Sequence, residues 1–339
     1  MRKKYKMGII GCGDYARRQS EIVKNGQRLE ISKAYDPSEA MLKKYTASYG
    51  VSPAASAAEI YQDPQIDVVM LFVPPFVRKG EVQQAAAAGK HIITTKPLAP
   101  NLQDATAIYQ AVHNKVTCLV VYSRTHDAAL PVLKKIFDSG EIGCLALYKQ
   151  DDIHHYPQWN AWATDPKKNG GPFMDAMIHN LNVARYLMGS EPESCVFFSD
   201  NHAQSLKCND TEYLKLNFGN KRGAQLFISW AANTKVLGTV SSIDRQFLGH
   251  WYMFTDQGWL VTIERQDNKM IIRAVKGDQV KTWETAVRIA APYDRFIEAL
   301  EEGKEQTCSV GDAWRDIAVL ETASHNIGRE AELKLGLPK

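Results

Sequence analysis

The most constraining feature of this 339-residue chain is the regular alternation of two patterns over its first 122 residues. Five short runs rich in apolar and β-branched residues predict strands, at Tyr5–Ile10, Leu29–Tyr35, Ile66–Val73, His91–Thr95 and Val116–Tyr122. Segments with helical spacing or high alanine content separate them, at Asp14–Asn25, Pro37–Tyr49, Val77–Ala88 and Leu102–His113. Strands that alternate with helices of this length form βαβ units, so we expect a parallel, doubly wound sheet.

The pattern changes after residue 124, where strands begin to follow one another. A helix is predicted at Leu130–Ser139, a strand at Cys144–Gln150 and, after an irregular aromatic-rich stretch, a helix at about Pro172–Met188. Further strands are predicted at Tyr213–Phe218, Gln225–Trp230, Gly258–Glu264 and Met270–Val275, and closing helices at Tyr293–Glu302 and Val310–Arg329. Consecutive strands joined by hairpin-type turns predict a second, α+β domain with a mostly antiparallel sheet.

Composition excludes several classes of protein. Lys and Arg number 41 against 38 Asp and Glu, and a net charge of +3 is too small for nucleic-acid binding by bulk electrostatics. The longest apolar run, Val68–Val77, contains two prolines and cannot span a bilayer. The six cysteines form no Cys-x-x-Cys pair, which is typical of reduced thiols, so we expect a cytoplasmic protein without disulfides or membrane segments.

A glycine-rich loop follows the first predicted strand and opens the first helix. Its sequence, Gly11-Cys12-Gly13-Asp14-Tyr15-Ala16, fits the pattern Gly-x-Gly-x-x-Ala of dinucleotide-binding loops. Gly11 permits a tight turn, Gly13 lets the backbone approach a pyrophosphate, and the small Ala16 lets helix and strand pack closely. The loop therefore predicts a bound dinucleotide.

Asp36, at the end of the second predicted strand, bears on which dinucleotide binds. A carboxylate at this place accepts hydrogen bonds from the adenosine ribose diol and repels a 2′-phosphate, which favours NAD over NADP. Arg17 and Ser38 are residue types that can cradle a phosphate, so NADP stays open as the alternative.

Lys96 follows the fifth predicted strand, in the turn Thr94-Thr95-Lys96-Pro97-Leu98. Ligands of doubly wound sheets bind beyond the carboxyl ends of the strands, so an ammonium here is placed to polarise a substrate hydroxyl or carbonyl oxygen. On residue type alone, a solvated lysine is the simpler interpretation.

A helix start at residues 170–172, Gly-Gly-Pro, precedes an Asp and a His spaced four residues apart. On an α-helix Asp175 and His179 share one face, where the carboxylate can fix the imidazole tautomer and raise its basicity, as a proton-abstracting base requires. The neighbouring helix positions are mostly apolar, so a core histidine with satisfied hydrogen bonds stays an open alternative.

Other chemistry-bearing side chains lie in the irregular stretch before this helix. Tyr156, Trp159 and Trp162 are residue types that stack on the apolar face of a sugar ring, although packing of the loop onto its own domain is their commoner role. The acidic and histidine side chains of residues 151–155 are metal-ligand types, but neighbours on an extended chain point to opposite sides. We therefore predict no metal site.

Taken in order, these pieces resemble the Gfo/Idh/MocA family of NAD(P)-dependent oxidoreductases, in particular its inositol and sugar dehydrogenase-like members. The resemblance rests on the glycine loop, the acidic strand end, the Lys-Pro-Leu-Ala turn at residues 96–99 and the Gly-Gly…Asp-x-x-x-His helix. Gly140-Glu141-Ile142-Gly143 and the closing helix at Val310–Arg329 also resemble that family, so the resemblance covers essentially the whole chain.

The resemblance implies an N-terminal Rossmann dinucleotide-binding domain at residues 1–122 and a substrate and oligomerisation α+β domain at 123–290. Closing helices at 291–339 are expected to pack back toward the first domain. The implied reaction transfers a hydride between a secondary alcohol of a sugar, sugar derivative or polyol and the nicotinamide of NAD. A homodimer or homotetramer is implied, and the charge and apolar runs discussed above predict no nucleic-acid or membrane partner.

Site residues carry over from the family position by position. Lys96 matches the active-site lysine, Asp175 the aspartate and His179 the histidine, which is the usual base in the polyol dehydrogenases. The expected cofactor contacts are Gly11, Gly13, Asp14, Tyr15, Ala16, Asp36, Pro74, Lys96 and Pro97, and the expected substrate contacts are Arg124, Tyr156, Trp159, Trp162 and Asn182.

Three positions depart from the family pattern, and two alternative functions stay open. Thr95 replaces the usual glutamate before the lysine, Arg78 a common histidine, and Asn182 a frequent aspartate.

One alternative is a lyase or glycosidase that recycles bound NAD, which the aromatic loop and the histidines at 154 and 155 suggest. The other is a non-catalytic dinucleotide sensor, which the presence of all three catalytic residue types disfavours.

Overall fold

The computed structural model describes residues 3–158, 161–232, 248–304 and 307–338. The chain divides into two compact units, each with its own sheet. Unit 1 comprises Met1–Thr125, Ala290–Trp314 and Leu337–Lys339, and unit 2 comprises His126–Ile289 and Arg315–Gly336. The stretch at 291–339, predicted as one set of closing helices, is therefore divided between the two units.

The regular elements are given in chain order. The strands are β1 (Tyr5–Ile10), β2 (Leu29–Tyr35), β3 (Ser52–Pro53), β4 (Val68–Leu71), β5 (His91–Thr95), β6 (Cys118–Val121), β7 (Leu145–Ile153), β8 (Ser194–Asp200), β9 (Thr211–Asn217), β10 (Gly223–Ser229), β11 (Leu248–Thr255), β12 (Leu260–Gln266), β13 (Lys269–Lys276), β14 (Gln279–Ala286) and β15 (Glu330–Glu332). The α-helices are α1 (Asp14–Lys24), α2 (Glu39–Tyr49), α3 (Ala57–Gln62), α4 (Pro75–Ala87), α5 (Leu102–Val112), α6 (Ala129–Ser139), α7 (Ile178–Met188), α8 (Pro292–Glu302) and α9 (Val310–Ser324). Within the described segments, no helix combines the length and apolarity that a bilayer crossing requires.

Unit 1 is built on a six-stranded sheet in the order β3-β2-β1-β4-β5-β6, with every neighbouring pair parallel. This is the doubly wound order in which the strand sequence reverses between β1 and β4, so the loops that follow these two strands lie side by side. The predicted parallel α/β fold is confirmed. The short elements β3 and α3 were not predicted from the sequence.

Unit 2 is built on a nine-stranded sheet in the order β14-β13-β12-β11-β7-β10-β9-β8-β15. Only β7 and β10 pair in parallel, and the other pairs of neighbours are antiparallel, which confirms the predicted mostly antiparallel sheet. Helix α7 packs on β7 and β10, and α6 packs on β13 and β14, so one face of the sheet carries these helices.

The last helix is shorter than predicted, and the helix predicted at about 172–188 is α-helical only from Ile178. The other predicted elements are present within a few residues of their predicted ends. Helix α9 ends at Ser324 instead of Arg329, and the chain then forms β15, which pairs with β8. The Gly328 N–H donates to the carbonyl oxygen of Phe197 at 2.8 Å, and Gly328 has φ +74°. Pairing with a strand distant in sequence overrides the helical pattern here.

Candidate active site

The glycine loop joins β1 to α1 and keeps open space beside the helix. Gly11 has φ +89°, which L side chains rarely adopt, and a Cβ there would lie 2.5 Å from the carbonyl oxygen of Phe72. Gly13 immediately precedes α1, and a Cβ added to it would meet no atom within 4 Å. The loop thus combines close backbone packing with a gap that a side chain would fill.

This arrangement fits a dinucleotide. The first N–H groups of a helix have no partner within the helix, so a pyrophosphate beside the loop is a suitable acceptor for those of α1. Ala16 is fully buried, which allows the close packing that its small size predicted. Asp14 is exposed and pairs with Arg17, and the Tyr15 ring packs edge-on against Phe72 with ring centroids 5.0 Å apart.

Asp36 follows β2 and faces the glycine loop. Its Oδ2 accepts a hydrogen bond from the backbone N–H of Cys12 at 2.8 Å, and its Oδ1 accepts one from that of Ser38 at 2.8 Å. Across the described part of the chain, no Lys or Arg lies within salt-bridge distance of this carboxylate. A phosphate placed here would therefore meet an uncompensated negative charge.

The guanidinium of Arg78 ties together two loops that carry predicted cofactor contacts. Nη2 donates to the carbonyl oxygen of Val73 at 2.7 Å, and Nη1 donates to that of Pro97. Val73 precedes Pro74, and Pro97 forms a cis peptide bond with Lys96. Arg78 is only 1% exposed, and burial lowers its pKa to about 10, so the side chain is charged at neutral pH.

We expect Arg78→Met to weaken NAD binding about tenfold, because carbonyl oxygens on both loops lose a charged donor in a buried place. Met keeps the apolar stem and removes the guanidinium. The measurement is the dissociation constant of NAD by titration calorimetry. Lys79→Met is the matched control, since Lys79 is the next residue, points to Asp104 and is partly exposed. Equal NAD affinity in the two variants would contradict this role of Arg78.

Lys96 lies just beyond β5 and is half-buried, and its backbone N–H donates to Val121 O at 3.3 Å. The preceding residue, Thr95, has its Oγ1 3.3 Å from Tyr15 Oη and 3.2 Å from Val121 O. The position before the lysine therefore holds a neutral hydroxyl that is engaged within unit 1. The ammonium has no carboxylate as its immediate neighbour in sequence.

The helix that carries Asp175 and His179 differs from the regular α-helix predicted over 172–188. Residues Phe173–Met177 form a turn of π-helix, and α7 begins only at Ile178, whose N–H donates to Phe173 O. A π turn is wider than an α turn, so the segment departs from the regular helix assumed for Asp175 and His179, and their shared face stays a prediction. Such turns occur frequently at functional sites.

Two residues that the sequence analysis did not select hold this segment in unit 2. Asn169 is fully buried, and its Nδ2 donates to Asp175 Oδ1 at 2.8 Å and to Ala163 O at 3.1 Å. Glu212, on β9, accepts the backbone N–H of Phe173 at 2.7 Å. No sequence pattern links Glu212 to the helix, since the contact joins residues 39 positions apart.

Two of the expected substrate contacts are buried and paired within their own units. Arg124 is 6% exposed and forms an ion pair with Asp312 at 3.3 Å. Asn182 is 1% exposed, and its Nδ2 donates to Asp316 Oδ2 at 2.8 Å. These contacts give both residues a structural role, so we do not propose them as substrate contacts.

The aromatic side chains predicted to contact a substrate are less buried than Arg124 and Asn182. Tyr156 is half-buried with its ring against His155, at a centroid distance of 4.3 Å, and Trp162 is half-buried in the 3₁₀ turn Ala161–Thr164. Trp159 lies outside the described residues. Tyr156 and Trp162 therefore keep partly accessible rings, and their contact with a substrate stays a prediction.

The acidic and histidine residues at 151–155 are engaged with neighbouring side chains and backbone. Asp152 is 7% exposed and accepts hydrogen bonds from Asn180 Nδ2 at 3.0 Å and from Gln150 Nε2 at 3.2 Å. Burial is the largest cause that raises the pKa of Asp152. His154 Nδ1 lies 2.9 Å from the carbonyl oxygen of His155. The hydrogen bond between Asp152 and Asn180 joins β7 to α7 at the residue that follows His179.

Comparison with known proteins gives two matches to one family. The model of the Gfo/Idh/MocA oxidoreductase family, with an NAD-binding Rossmann fold, matches residues 5–123, and that of the Gfo/Idh/MocA C-terminal domain matches residues 132–261. The chain belongs to the Gfo/Idh/MocA oxidoreductase family. This membership confirms the NAD-binding Rossmann fold that the glycine loop predicted, and Gly11, Gly13 and Asp36 lie within the matched region.

Individual relatives match parts of the chain. The scyllo-inositol 2-dehydrogenase (NAD(+)) of Bacillus subtilis is 35% identical over 134 residues, which are 39% of this chain and 38% of that protein. An uncharacterized oxidoreductase of the same bacterium, YrbE, is 30% identical over 193 residues, 56% of each chain. The chain thus matches about half or less of the length of these two relatives.

The fold extends over nearly the whole chain in solved structures. An oxidoreductase from Agrobacterium radiobacter, solved in complex with NAD+, L-tartaric acid and magnesium, superposes with a TM-score of 0.82 at 18% identity. The superposition covers 97% of this chain and 98% of that one. Similarity at this identity establishes the shared fold.

Proposed function

We propose that this protein is an NAD-dependent dehydrogenase that acts on a secondary alcohol of a sugar, sugar derivative or polyol. The observation that carries the proposal is the glycine loop of unit 1, with Asp36 beside it, in a chain that also has Lys96, Asp175 and His179 at the family's active-site positions. The similarity to a scyllo-inositol 2-dehydrogenase supports a polyol or a sugar as the substrate class.

Each candidate catalytic residue has a distinct task in this proposal. The chemistry that NAD supplies when bound is acceptance of a hydride from the carbinol carbon. His179 accepts the proton of the reacting hydroxyl as general base. Lys96 stabilises the negative charge that develops on the same oxygen. Asp175, held by Asn169, orients the imidazole or a neighbouring substrate hydroxyl.

The reaction is tested by mixing the purified protein with NAD and a panel of polyols, aldoses, sugar acids and glycosides, and following the absorbance of NADH. Saturable NADH formation with a member of the first three groups is the expected result. Tight NAD binding without NADH formation on any compound contradicts the proposal. Cleavage of a glycoside that needs NAD but yields no net NADH would instead support the cofactor-recycling alternative.

The cofactor preference follows from Asp36, and we expect the wild-type protein to bind NAD more tightly than NADP. Asp36→Ala should lower the ratio of the NADP to the NAD dissociation constant by about tenfold or more, because the substitution removes like-charge repulsion toward a 2′-phosphate. Parallel titrations with NAD and NADP measure the ratio of dissociation constants. Glu39→Gln, which neutralises an exposed acid on the first turn of α2, serves as the charge control. Tighter NADP than NAD binding by the wild type would overturn the assignment.

Self-association is proposed through the sheet face of unit 2 opposite α6 and α7. Cross-strand register aligns Phe254, Leu260, Val275 and Val280 on that face, and Phe254 and Val280 are well exposed within a single chain. An apolar row of this kind is typical of a protein–protein contact. Sedimentation velocity distinguishes the proposed dimer or tetramer from a monomer.

The thiols support a cytoplasmic location, which we also propose. All six cysteines are free; Cys144 is exposed and the other five are buried. Free thiols of this kind are usual where the environment is reducing.

A further inference from the structure

We propose that Glu212 is a positioning residue that fixes the start of the π-helical turn and thereby places Asp175 and His179 for catalysis. The inference rests on the proposed function, since it assigns Glu212 a task in the same reaction. It adds a residue from a distant strand to the residues on which that reaction depends.

The bond between Glu212 and Phe173 is the central observation. Phe173 is the first residue of the π turn, where a backbone N–H has no partner inside the helix. Glu212 Oε2 accepts that N–H at 2.7 Å, and both residues are buried. Water therefore has little access to the Phe173 N–H. Removing the Glu212 carboxylate leaves this buried donor unsatisfied.

The start of the π turn also packs closely against the sheet of unit 2. The Phe173 ring meets the Phe197 ring of β8 edge-on, with centroids 5.8 Å apart. Gly171 has φ +94°, and a Cβ on it would lie 3.5 Å from Glu212 Oε1. The backbone before the turn thus lies directly against the Glu212 carboxyl group. Glu212 therefore restricts where this segment can lie.

Among the residues that the structure describes, no cation compensates the charge of Glu212. Its Oε1 accepts a hydrogen bond from Ser199 Oγ of β8 at 3.3 Å. Burial raises the pKa of the nearby Cys208 thiol to about 11, so it is uncharged at neutral pH, and the other titratable groups near that thiol are the acids Asp175 and Asp210. Among the described residues no Lys or Arg pairs with Glu212.

This isolation has an electrostatic consequence. Burial raises the pKa of Glu212 to about 7, so the neutral acid is well populated near neutrality. A neutral carboxyl keeps one acceptor oxygen for Phe173 N and can donate its proton to Ser199 Oγ. A glutamine has the same acceptor and donor arrangement, which makes Glu212→Gln the conservative variant.

Continuity of the chain transmits the position of Phe173 to the candidate catalytic groups. Asp175 lies two residues further on in the same π turn, and His179 is the second residue of α7, which follows without a break. A small displacement of a positioned group lowers a rate steeply, by about a hundredfold for 1 Å. Loosening the first residue of the turn therefore should reduce turnover while leaving the NAD-binding loop of unit 1 unchanged.

The test compares Glu212→Met, Glu212→Gln and the control Glu264→Met by steady-state kinetics and by NAD titration. We expect Glu212→Met to lower kcat about tenfold to a hundredfold with an unchanged NAD dissociation constant. Glu212→Gln should restore kcat to within about threefold of the wild type. Glu264→Met, which makes the same change at an exposed position on β12 of the same sheet, should have wild-type kcat. Wild-type kcat in Glu212→Met, or equal loss in the Met and Gln variants, would refute the positioning role.

A readout independent of activity separates this inference from the proposed function. In protein labelled with ¹³C-histidine, the C2–H signal of His179 is assigned among the nine histidines by its loss in His179→Asn. We expect this signal to shift in Glu212→Met and to return to the wild-type position in Glu212→Gln. An unshifted signal in Glu212→Met refutes the inference even if no substrate is found. A wild-type protein without dehydrogenase activity, in which the shift is observed, refutes only the proposed reaction.

Discussion

Lys96→Met and His179→Asn are each expected to lower kcat by about two to four orders of magnitude, the range seen when a positioned acid–base or oxyanion-stabilising group is removed. Methionine keeps the length of the lysine side chain but cannot stabilise an alkoxide. Asparagine has nearly the shape of histidine but cannot accept the hydroxyl proton at neutral pH. NAD binding should persist in His179→Asn, because the glycine loop and Asp36 lie in unit 1.

The controls make the same chemical changes at exposed positions. Lys115→Met and His113→Asn lie just beyond α5, where both side chains are exposed, and should leave kcat unchanged. Steady-state kinetics with the substrate found in the panel, at saturating NAD, measures all four variants. Near-normal kcat in both Lys96→Met and His179→Asn would remove the basis of the proposed mechanism.

Asp316→Ala is expected to have the largest effect on stability, a loss of about 3–5 kcal/mol of unfolding free energy in unit 2. Asp316 has no exposed surface, and its carboxylate accepts hydrogen bonds from Arg185 Nη1 and from Asn182 Nδ2. Arg185 is itself buried and also pairs with Glu191. Removing Asp316 takes a buried carboxylate away from the Arg185 guanidinium and from the Asn182 amide, and both buried donors lose a hydrogen bond.

An exposed ion pair in the same unit provides the control. Lys134 and Asp138 form an i,i+4 pair on α6, and the Asp138 side chain is 57% exposed. Asp138→Ala should cost at most about 1 kcal/mol, since water and salt screen such pairs. Urea unfolding followed by circular dichroism gives both free energies. Losses of similar size in the two variants would contradict the importance of the buried network.

The parts of the site that could be predicted from the sequence are those set by local patterns. The spacing of Gly11, Gly13 and Ala16 after a strand determines both the loop conformation and the start of α1, because glycine conformation and helix capping depend on neighbouring residues. The strand β1 and the position of Asp36 at the end of β2 follow from equally local patterns.

The parts that could not be predicted depend on contacts between residues far apart in sequence. In the sequence Arg78 stands out only as a departure from the family pattern, and its hydrogen bonds to Val73 and Pro97 depend on the packing of α4 beside β5. Glu212 reads as an ordinary strand residue, yet it binds a helix start 39 positions away. The π turn has no signature in apolar spacing, so the sequence predicts a regular α-helix where the structure has a π turn at Phe173–Met177.

The most direct test of the central claim is a single-turnover reaction with a substrate carrying deuterium at the oxidised carbon. The protein, in excess over the deuterated compound from the panel, is mixed with that compound and NAD. The nicotinamide is then recovered for mass spectrometry and NMR. Direct hydride transfer predicts one deuterium at C4 of the reduced nicotinamide. Reduced nicotinamide without deuterium, or consumption of the substrate without any reduced nicotinamide at any time in the turnover, would contradict the account.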